Sequence, residues 1–179
     1  MPLPKAFNAV AAAACVTLAG IGAAQAQNCM EVLGRTPEAS GFVAALTRTG
    51  QTALLRSSGP FTILAPTNEA VSKTPVNLRN DVFGQATGDQ ADMDPYLAPA
   101  VVSAHITDGK HTSAEVQGQS SASFHTRNGN ELKLARGQDG RFVLMPQGRG
   151  RRAVEGHVVR ADIPCSNGVI HLVDTVLIK

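Results

Sequence analysis

The hydrophobic pattern of this chain changes its period partway along, and this change restricts the possible fold more than any other feature. Between residues 36 and 115 the apolar residues recur in short segments at helical spacing, apart from one apolar β run at residues 61–65. From residue 121 onward they form short runs separated by turn pairs such as Asn128-Gly129 and Asn167-Gly168, as strands do. Helices followed by strands predict an α+β fold, because a parallel α/β sheet needs the two to alternate.

Capping residues and glycines predict where the individual elements begin and end. Thr36 is expected to cap a helix that starts with Pro37 and ends at Gly50. Gly168 is expected to hold a positive φ in the turn before the last strand. Further helices are predicted at residues 51–56, 67–71, 76–83, 95–102 and 112–115, and strands at residues 61–65, 123–126, 132–134, 142–145, 154–163 and 169–178.

The first 26 residues have the three parts of a cleavable secretory signal. Lys5 supplies the basic start, residues 6–24 an Ala-rich apolar run, and Ala24-Gln25-Ala26 the small-x-small cleavage pattern. The alternative, an N-terminal membrane helix, is disfavoured because the run contains Asn8 and Thr17. Residues 1–26 are therefore interpreted as a signal peptide, and residues 27–179 as one domain that is secreted or periplasmic.

The charge balance argues against nucleic acid as a partner. The chain has 16 basic and 14 acidic residues, whereas nucleic-acid binding needs a clear basic excess on one face. After the leader, no stretch approaches the roughly 20 apolar residues of a membrane-spanning helix. We therefore expect no nucleic-acid partner, and no transmembrane segment after signal cleavage.

Cys29 and Cys165 are the cysteines that would remain after cleavage. Export takes them to a compartment where disulfides persist, so we expect one bridge between them, with two separate thiols as the alternative. By restricting the unfolded chain, a bridge that closes so long a loop would stabilise the folded state by about 4–5 kcal/mol. A metal site is disfavoured, because two distant cysteines show no paired ligand spacing.

Three segments, taken in order, resemble the signatures of fasciclin-like (fasciclin/beta-Ig-h3) domains. Residues 59–70 resemble the first signature, residues 101–105 with Gly109-Lys110 the central histidine segment, and residues 158–177 the second signature. The resemblance extends from about residue 29 to the end of the chain. Its structural residues are expected to be Pro66, Thr67, Asn68, His105, Asn167, Gly168, His171 and Asp174.

The resemblance implies a β-wedge of two sheets, flanked by helices from the N-terminal half. It also implies an adhesion role in the cell envelope or the extracellular matrix. The sequence departs from the family at Ala104, where many members carry Tyr, which puts any contact of a Tyr-His pair in doubt. It has no Arg-Gly-Asp tripeptide, so integrin-type binding is not supported.

No catalytic or metal-binding motif accompanies the resemblance. The chain lacks His-Glu-x-x-His and Gly-x-Ser-x-Gly, so no catalytic residue, metal or cofactor is expected. His105 and His171 are interpreted as buried, hydrogen-bonded histidines and not as ligands. Asp89, Asp92 and Asp94 supply too few oxygens for a calcium site and are interpreted as a solvated loop.

The densest basic cluster consists of Arg149, Arg151 and Arg152, between two predicted strands. Guanidinium groups bind carboxylates, sulfates and phosphates in bidentate fashion, so this loop is a candidate partner-binding site for acidic polysaccharide or lipid head groups. The alternative is an ordinary solvated turn that keeps the sheet edge soluble.

Three functions are left open by the sequence. The first is a non-enzymatic binding or adhesion module, whose partner is a cell-surface or matrix protein or a polysaccharide. The second is a carrier of a small apolar ligand, a lipid or a pigment, in a groove between sheet and helices. The third is a hydrolase with an unrecognised site. The chain has no Trp and one Tyr, which disfavours recognition of sugars or bases by aromatic stacking.

Overall fold

The computed structural model describes residues 27–84, 93–117, 121–138, 140–147 and 155–178, without the side chains of residues 116 and 117. The helices are α1 (Cys29–Gly34), α2 (Ser40–Arg48), α3 (Thr52–Arg56), α4 (Asn68–Lys73), α5 (Val76–Phe83), α6 (Leu97–Ala104) and α7 (Ser113–Gln117), with a 3₁₀ turn, η1, at Pro37–Ala39. The strands are β1 (Phe61–Pro66), β2 (Ile106–Asp108), β3 (Ser121–His125), β4 (Glu131–Arg136), β5 (Phe142–Gln147), β6 (Gly156–Cys165) and β7 (Gly168–Val173). Among these described helices, none is both long and apolar enough to cross a membrane.

The strands lie in the order β2-β1-β7-β6-β5-β4-β3, and the α+β prediction is confirmed. The β1–β7 pair is parallel, and the other neighbouring strands are antiparallel. Between β5 and β6 the register joins only Val143 with His157 and Leu144 with Gly156. The two expected sheets are therefore joined through the start of β6, whose remainder pairs with β7.

Both faces of the central strands are covered. All six residues of β1 and all six of β7 are buried. Ile63 and Ile170 point into a core formed with the helices, where Leu33, Phe42 and Leu55 are almost completely buried. Neighbouring residues of the same strands, such as Leu64 and Val173, pack in a second core with β4 and β5. A strand buried on both faces is mostly apolar, and the polar residue of β1, Thr62, has its hydroxyl hydrogen-bonded.

Three differences between the predicted elements and the structure have a hydrogen-bonded cause. Helix α1 was not predicted, although Asn28 and Glu31 form a capping box at its start. Thr36 does not cap the next helix, because its hydroxyl donates to Val32 O, and the chain passes through η1 before α2. The last strand ends at Val173 and not at residue 178, because the chain leaves the sheet and the Leu177 N–H donates to His105 Nε2.

A disulfide joins Cys29 to Cys165, with their Cα atoms 5.0 Å apart. Next to it, the Ser166 N–H donates to Gln27 O at 2.8 Å. The bridge therefore fastens the first turn of α1 to the end of β6.

Gly168 needs to be a glycine for a different reason from the predicted one. The expectation of a positive φ is wrong, because Gly168 is not among the described glycines that have one, which are Gly50, Gly84, Gly109, Gly129 and Gly140. Gly168 begins β7 beside Phe61 of β1, and a Cβ added to it would lie 2.1 Å from Phe61 O. The close approach of two parallel backbones excludes a side chain here.

Replacing this glycine tests the close approach directly. We expect Gly168→Ala to lower the free energy of unfolding by about 3 kcal/mol or more, because the backbone of β1 or β7 must shift to admit the methyl group. Gly34→Ala is the matched control, since a Cβ there meets nothing within 4 Å. Urea denaturation of both variants measures the difference, and equal stabilities would contradict this account of Gly168.

Candidate functional site

The side chains of the first signature hold the helices in place. The Thr67 hydroxyl accepts the N–H of Ala70 and caps α4. Asn68 Oδ1 accepts the Gly41 N–H at 2.9 Å, and its Nδ2 donates to Pro37 O at 2.9 Å. Pro66, the last residue of β1, is paired with Val173 of β7. The polar groups of Thr67 and Asn68 are therefore engaged by the protein's own backbone.

His105 is completely buried beside the ring of Phe42. Its Nδ1 lies 2.7 Å from Val101 O, and its Nε2 accepts the Leu177 N–H at 2.9 Å. These partners fix a neutral imidazole that carries its proton on Nδ1. Burial lowers the pKa of His105 to about 4, although the bond to Val101 opposes the shift. Both nitrogens are occupied, so His105 joins the chain's end to α6 and has no site for a ligand.

His171 belongs to a cluster that contains a serine, a histidine and an aspartate. The Asp162 N–H donates to His171 Nδ1 at 3.2 Å, and His171 Nε2 donates to His111 O at 2.9 Å. Burial lowers the pKa of His171, which keeps the ring neutral. The Ser113 hydroxyl donates to the Asp162 carboxylate and not to an imidazole. Because both nitrogens of His171 are bonded to backbone, this cluster does not form the nucleophile–base pair of a hydrolase.

Asp162 has an unusual backbone in the same cluster. Its φ is 58°, which is the left-handed region, and the β6–β7 register shifts around it. The Ser113 N–H also donates to its carboxylate, at 2.9 Å. Burial would raise the pKa of Asp162, but the two hydrogen bonds from Ser113, together with nearby positive charge that includes Lys110, hold that pKa below its ordinary value. The carboxylate thereby fastens the start of α7 to β6.

Asn167 connects four parts of the chain. Its Oδ1 accepts the Cys29 N–H at 2.8 Å, and its Nδ2 donates to Leu55 O at 2.9 Å and Ser57 O at 2.7 Å. Its own carbonyl accepts the Phe61 N–H at 3.0 Å. The β6–β7 turn is thus bonded to α1, to the end of α3 and to the start of β1.

Asp174 closes the other end of β7. Its Oδ1 accepts the His157 N–H at 2.6 Å, and its Oδ2 lies 3.2 Å from His157 Nδ1. Both side chains are about one-third exposed, at 34%. Every signature residue of the sequence therefore has a partner within the fold.

An open cleft lies on the outer side of the Asn167 junction, and we call it the basic cleft. It encloses about 550 Å³ and is lined by residues 56–60 and 165–168 with Asn28 and Lys110. Arg56 and Lys110 are both exposed, and among the described residues that line the cleft none is acidic. Residue patterns did not reveal this site, because its two cations lie far apart in the sequence.

Of the arginine loop at residues 149–152 and the aspartate loop at residues 89–94, the structure describes only residues 93 and 94. Arg149, Arg151 and Arg152 lie outside the described residues, as do Asp89, Asp92 and the predicted leader. Asp94 accepts the N–H groups of Tyr96 and Leu97, both at 2.8 Å, which lowers its pKa and caps the start of α6. In the part of the chain that the structure describes, no three His, Cys, Asp or Glu side chains are grouped to hold a metal ion.

Two further cavities bear on the carrier hypothesis. One, beside Ala104 and Leu177, encloses about 20 Å³, room for about one water molecule. The other is an open groove of about 560 Å³ between α2, α4 and α5, lined by apolar side chains with Arg48 and Arg79. The space between helices and sheet, where a ligand was expected, is filled by the buried side chains of the first core.

The comparisons with known proteins agree with this architecture. The family model for the fasciclin domain matches residues 37–179, so the chain belongs to the fasciclin domain family. A solved FAS1 domain pair from the insect cell adhesion molecule fasciclin I superposes with a TM-score of 0.68 at 19% identity. That match covers 86% of this chain and 51% of the solved chain, and it shows a shared fold.

Curated relatives span bacteria and animals. Protein sll1483 of Synechocystis is 28% identical over 86% of this chain and 74% of its own length. Human periostin is 32% identical over 78% of this chain, and porcine transforming growth factor-beta-induced protein ig-h3 is 28% identical over 83%. This chain spans 14% of periostin and 19% of ig-h3, so it corresponds to a small part of each.

The buried histidine gives the fold a pH dependence. Unfolded His105 takes up a proton near pH 6.5, whereas the folded residue stays neutral until about pH 4. The free energy of unfolding should therefore fall as the pH is lowered from 6.5 to about 4, and His105 should account for about 3 kcal/mol of that fall. His105→Gln should flatten that slope in urea denaturations between pH 7 and pH 4, while His125→Gln, at an exposed position of β3, should not. An unchanged slope in His105→Gln would contradict the assignment.

Proposed function

We propose that this chain is an exported, non-enzymatic binding module of the cell envelope or extracellular matrix, folded as one domain from residue 27. The observation that carries the proposal is the engagement of the signature side chains. Asn68, His105, Asn167 and His171 all use their polar groups to hold the backbone together. A fold whose signature residues hold its backbone together supplies a rigid surface for binding, and the basic cleft lies on that surface.

The family supports the same conclusion by analogy. The solved relative with the same fold is a cell adhesion molecule by its printed description. The disulfide between Cys29 and Cys165 suits an oxidising compartment, as the signal-peptide pattern of residues 1–26 predicts. Both observations favour a place outside the cytoplasm.

The two alternative functions have weaker support in the described residues. A hydrolase would need a free base near a nucleophile, and the Ser113–Asp162–His171 cluster leaves neither imidazole nitrogen free. An apolar-ligand carrier would need an enclosed cavity, whereas the cavity beside Leu177 encloses about 20 Å³ and the larger groove between α2, α4 and α5 is open to solvent. Of the three functions, the binding module is the one that a structural feature favours, namely the bonding of the signature side chains within the fold.

Adhesion can be measured with the mature protein taken from the exported fraction of its own host. We expect its N-terminus to be Gln27, and beads coated with it to bind whole cells or isolated envelopes of that host. Binding should be saturable and should be competed by excess soluble mature protein, because specific sites are limited in number.

Beads coated with reduced, alkylated and unfolded protein of the same sequence provide the control. Equal capture by folded and unfolded protein would show that adhesion is non-specific charge attraction. No capture by either would contradict the proposed function.

A further inference from the structure

We propose that the basic cleft is a binding site for the anionic groups of an acidic polysaccharide, with Arg56 and Lys110 as the recognising residues. The inference rests on the proposed function and deepens it, because it names the site and the chemical class of partner. It differs from the loop of Arg149, Arg151 and Arg152, which lies elsewhere in the sequence and outside the described residues.

The first argument is that the backbone beside Arg56 is fastened on both sides. Leu55 O and Ser57 O, which flank Arg56, both accept hydrogen bonds from Asn167 Nδ2, at 2.9 Å and 2.7 Å. The Asn167 carboxamide is in turn held by the Cys29 N–H, next to the disulfide. The guanidinium group therefore projects from a backbone that does not have to order on binding, which reduces the entropic cost.

The second argument is that the backbone on both sides of Lys110, which also lines the cleft, is held by a single side chain. The buried Thr62 hydroxyl donates to Gly109 O at 2.8 Å and accepts the His111 N–H at 2.8 Å, so it fastens both neighbours of Lys110. The Gly109 N–H also donates to Pro60 O at 2.9 Å, which fixes the Lys110 loop against the wall that follows Arg56. One polar side chain thus holds the backbone beside each cation, half-buried Asn167 beside Arg56 and buried Thr62 beside Lys110.

The third argument is the charge and polarity of the lining. In the described part of the chain, neither Arg56 nor Lys110 has a carboxylate within 4 Å. Glu31, whose carboxylate is bonded to the backbone of Asn28, and Asp162, which attracts Lys110 and is bonded to Ser113, keep their negative charges. Neither forms an ion pair with Arg56 or Lys110, so both cations can contact a ligand.

The ligand class follows from the donors and from the space. Serine hydroxyls at positions 58 and 166 accompany the two cations, whereas the Ser57 hydroxyl donates to Leu54 O. Two cations with hydroxyl donors suit a carboxylate or sulfate with hydroxyl groups beside it. A volume of about 550 Å³ lies in the usual range for small-ligand sites of roughly 300–1,000 Å³. No described aromatic side chain lines the cleft, so recognition relies on charge and hydrogen bonds. An acidic sugar unit of a polysaccharide carries an anionic group and hydroxyl groups, and it is small enough for the cleft.

The test is a titration of the ¹⁵N-labelled mature protein with defined oligomers, followed by NMR and calorimetry. The probes are an oligogalacturonate, which carries carboxylates, a sulfated dextran oligomer and a neutral dextran oligomer of equal length. A glutamate oligopeptide represents an acidic protein partner. We expect one or both acidic sugars to shift the amides of Ser57, Ser58, Lys110 and Ser166, and the neutral dextran and the peptide to leave them unchanged. Which acidic sugar binds then distinguishes the carboxylate from the sulfate source.

Charge-matched variants separate the cleft from general attraction. Arg56→Gln with Lys110→Gln should raise the Kd at least about tenfold, since a lost charge-assisted hydrogen bond is worth about a factor of ten. Arg35→Gln with Lys73→Gln removes the same charge at exposed positions outside the cleft and should change the Kd less than about twofold once salt screens long-range attraction. Unchanged melting temperatures would confirm that both variants fold.

Several outcomes would overturn the inference. These are equal weakening in the two double variants, shifts confined to residues 147–155, tighter binding of the glutamate peptide, or no binding of either acidic sugar. If the cleft variant still adheres to host envelopes like the unmodified protein, the cleft assignment fails and the proposed adhesion function stands. If the unmodified protein binds neither sugars nor envelopes, both fail.

Discussion

The hydrogen bonds of the Asn167 carboxamide are the constraint on which the rest of the structure depends. Through Cys29, Leu55 and Ser57 they bind the β6–β7 turn to two helices, while the Asn167 carbonyl binds the start of β1. The Asn167 side chain is half-buried, so each of its hydrogen bonds contributes about 0.5–1.5 kcal/mol, and together they favour one arrangement of turn, helices and strand. The close β1–β7 pairing that excludes a side chain at Gly168 and the disulfide beside Cys29 both lie at this junction.

The two buried histidines extend the same principle to the rest of the fold. His105 and His171 are neutral, and each bonds two backbone groups that the sheet and helices leave unpaired. A neutral imidazole suits this role because it offers one donor and one acceptor at fixed positions. As a consequence, the interior holds no free base and no ligand site among these residues. The proposed binding site is on the surface, where Asn167 and Thr62 hold the backbone of the basic cleft.

The sequence predicted the fold class well, because α+β order, strand turns and family signatures are local patterns. The sequence was less informative about contacts between segments that are distant along the chain. The need for glycine at position 168 was assigned to a turn, whereas it comes from contact with Phe61. Arg56 and Lys110 went unnoticed, since their proximity depends on bonds from Asn167 and Thr62 to remote residues. Helix α1 was missed although Asn28 and Glu31 have capping-box spacing, a local signal that could have revealed it.

Native-state hydrogen exchange of Asn167→Ala tests the central claim most directly, with Asn128→Ala in the β3–β4 turn as the control. The account predicts that the amides of α1, the end of α3 and the start of β1 lose protection together, by about tenfold to several hundredfold, while β3–β5 retain theirs. Joint loss would show that this one side chain fastens the helices and the cleft to the sheet. Wild-type protection in α1 and at Phe61, with faster exchange confined to the β6–β7 turn, would contradict it.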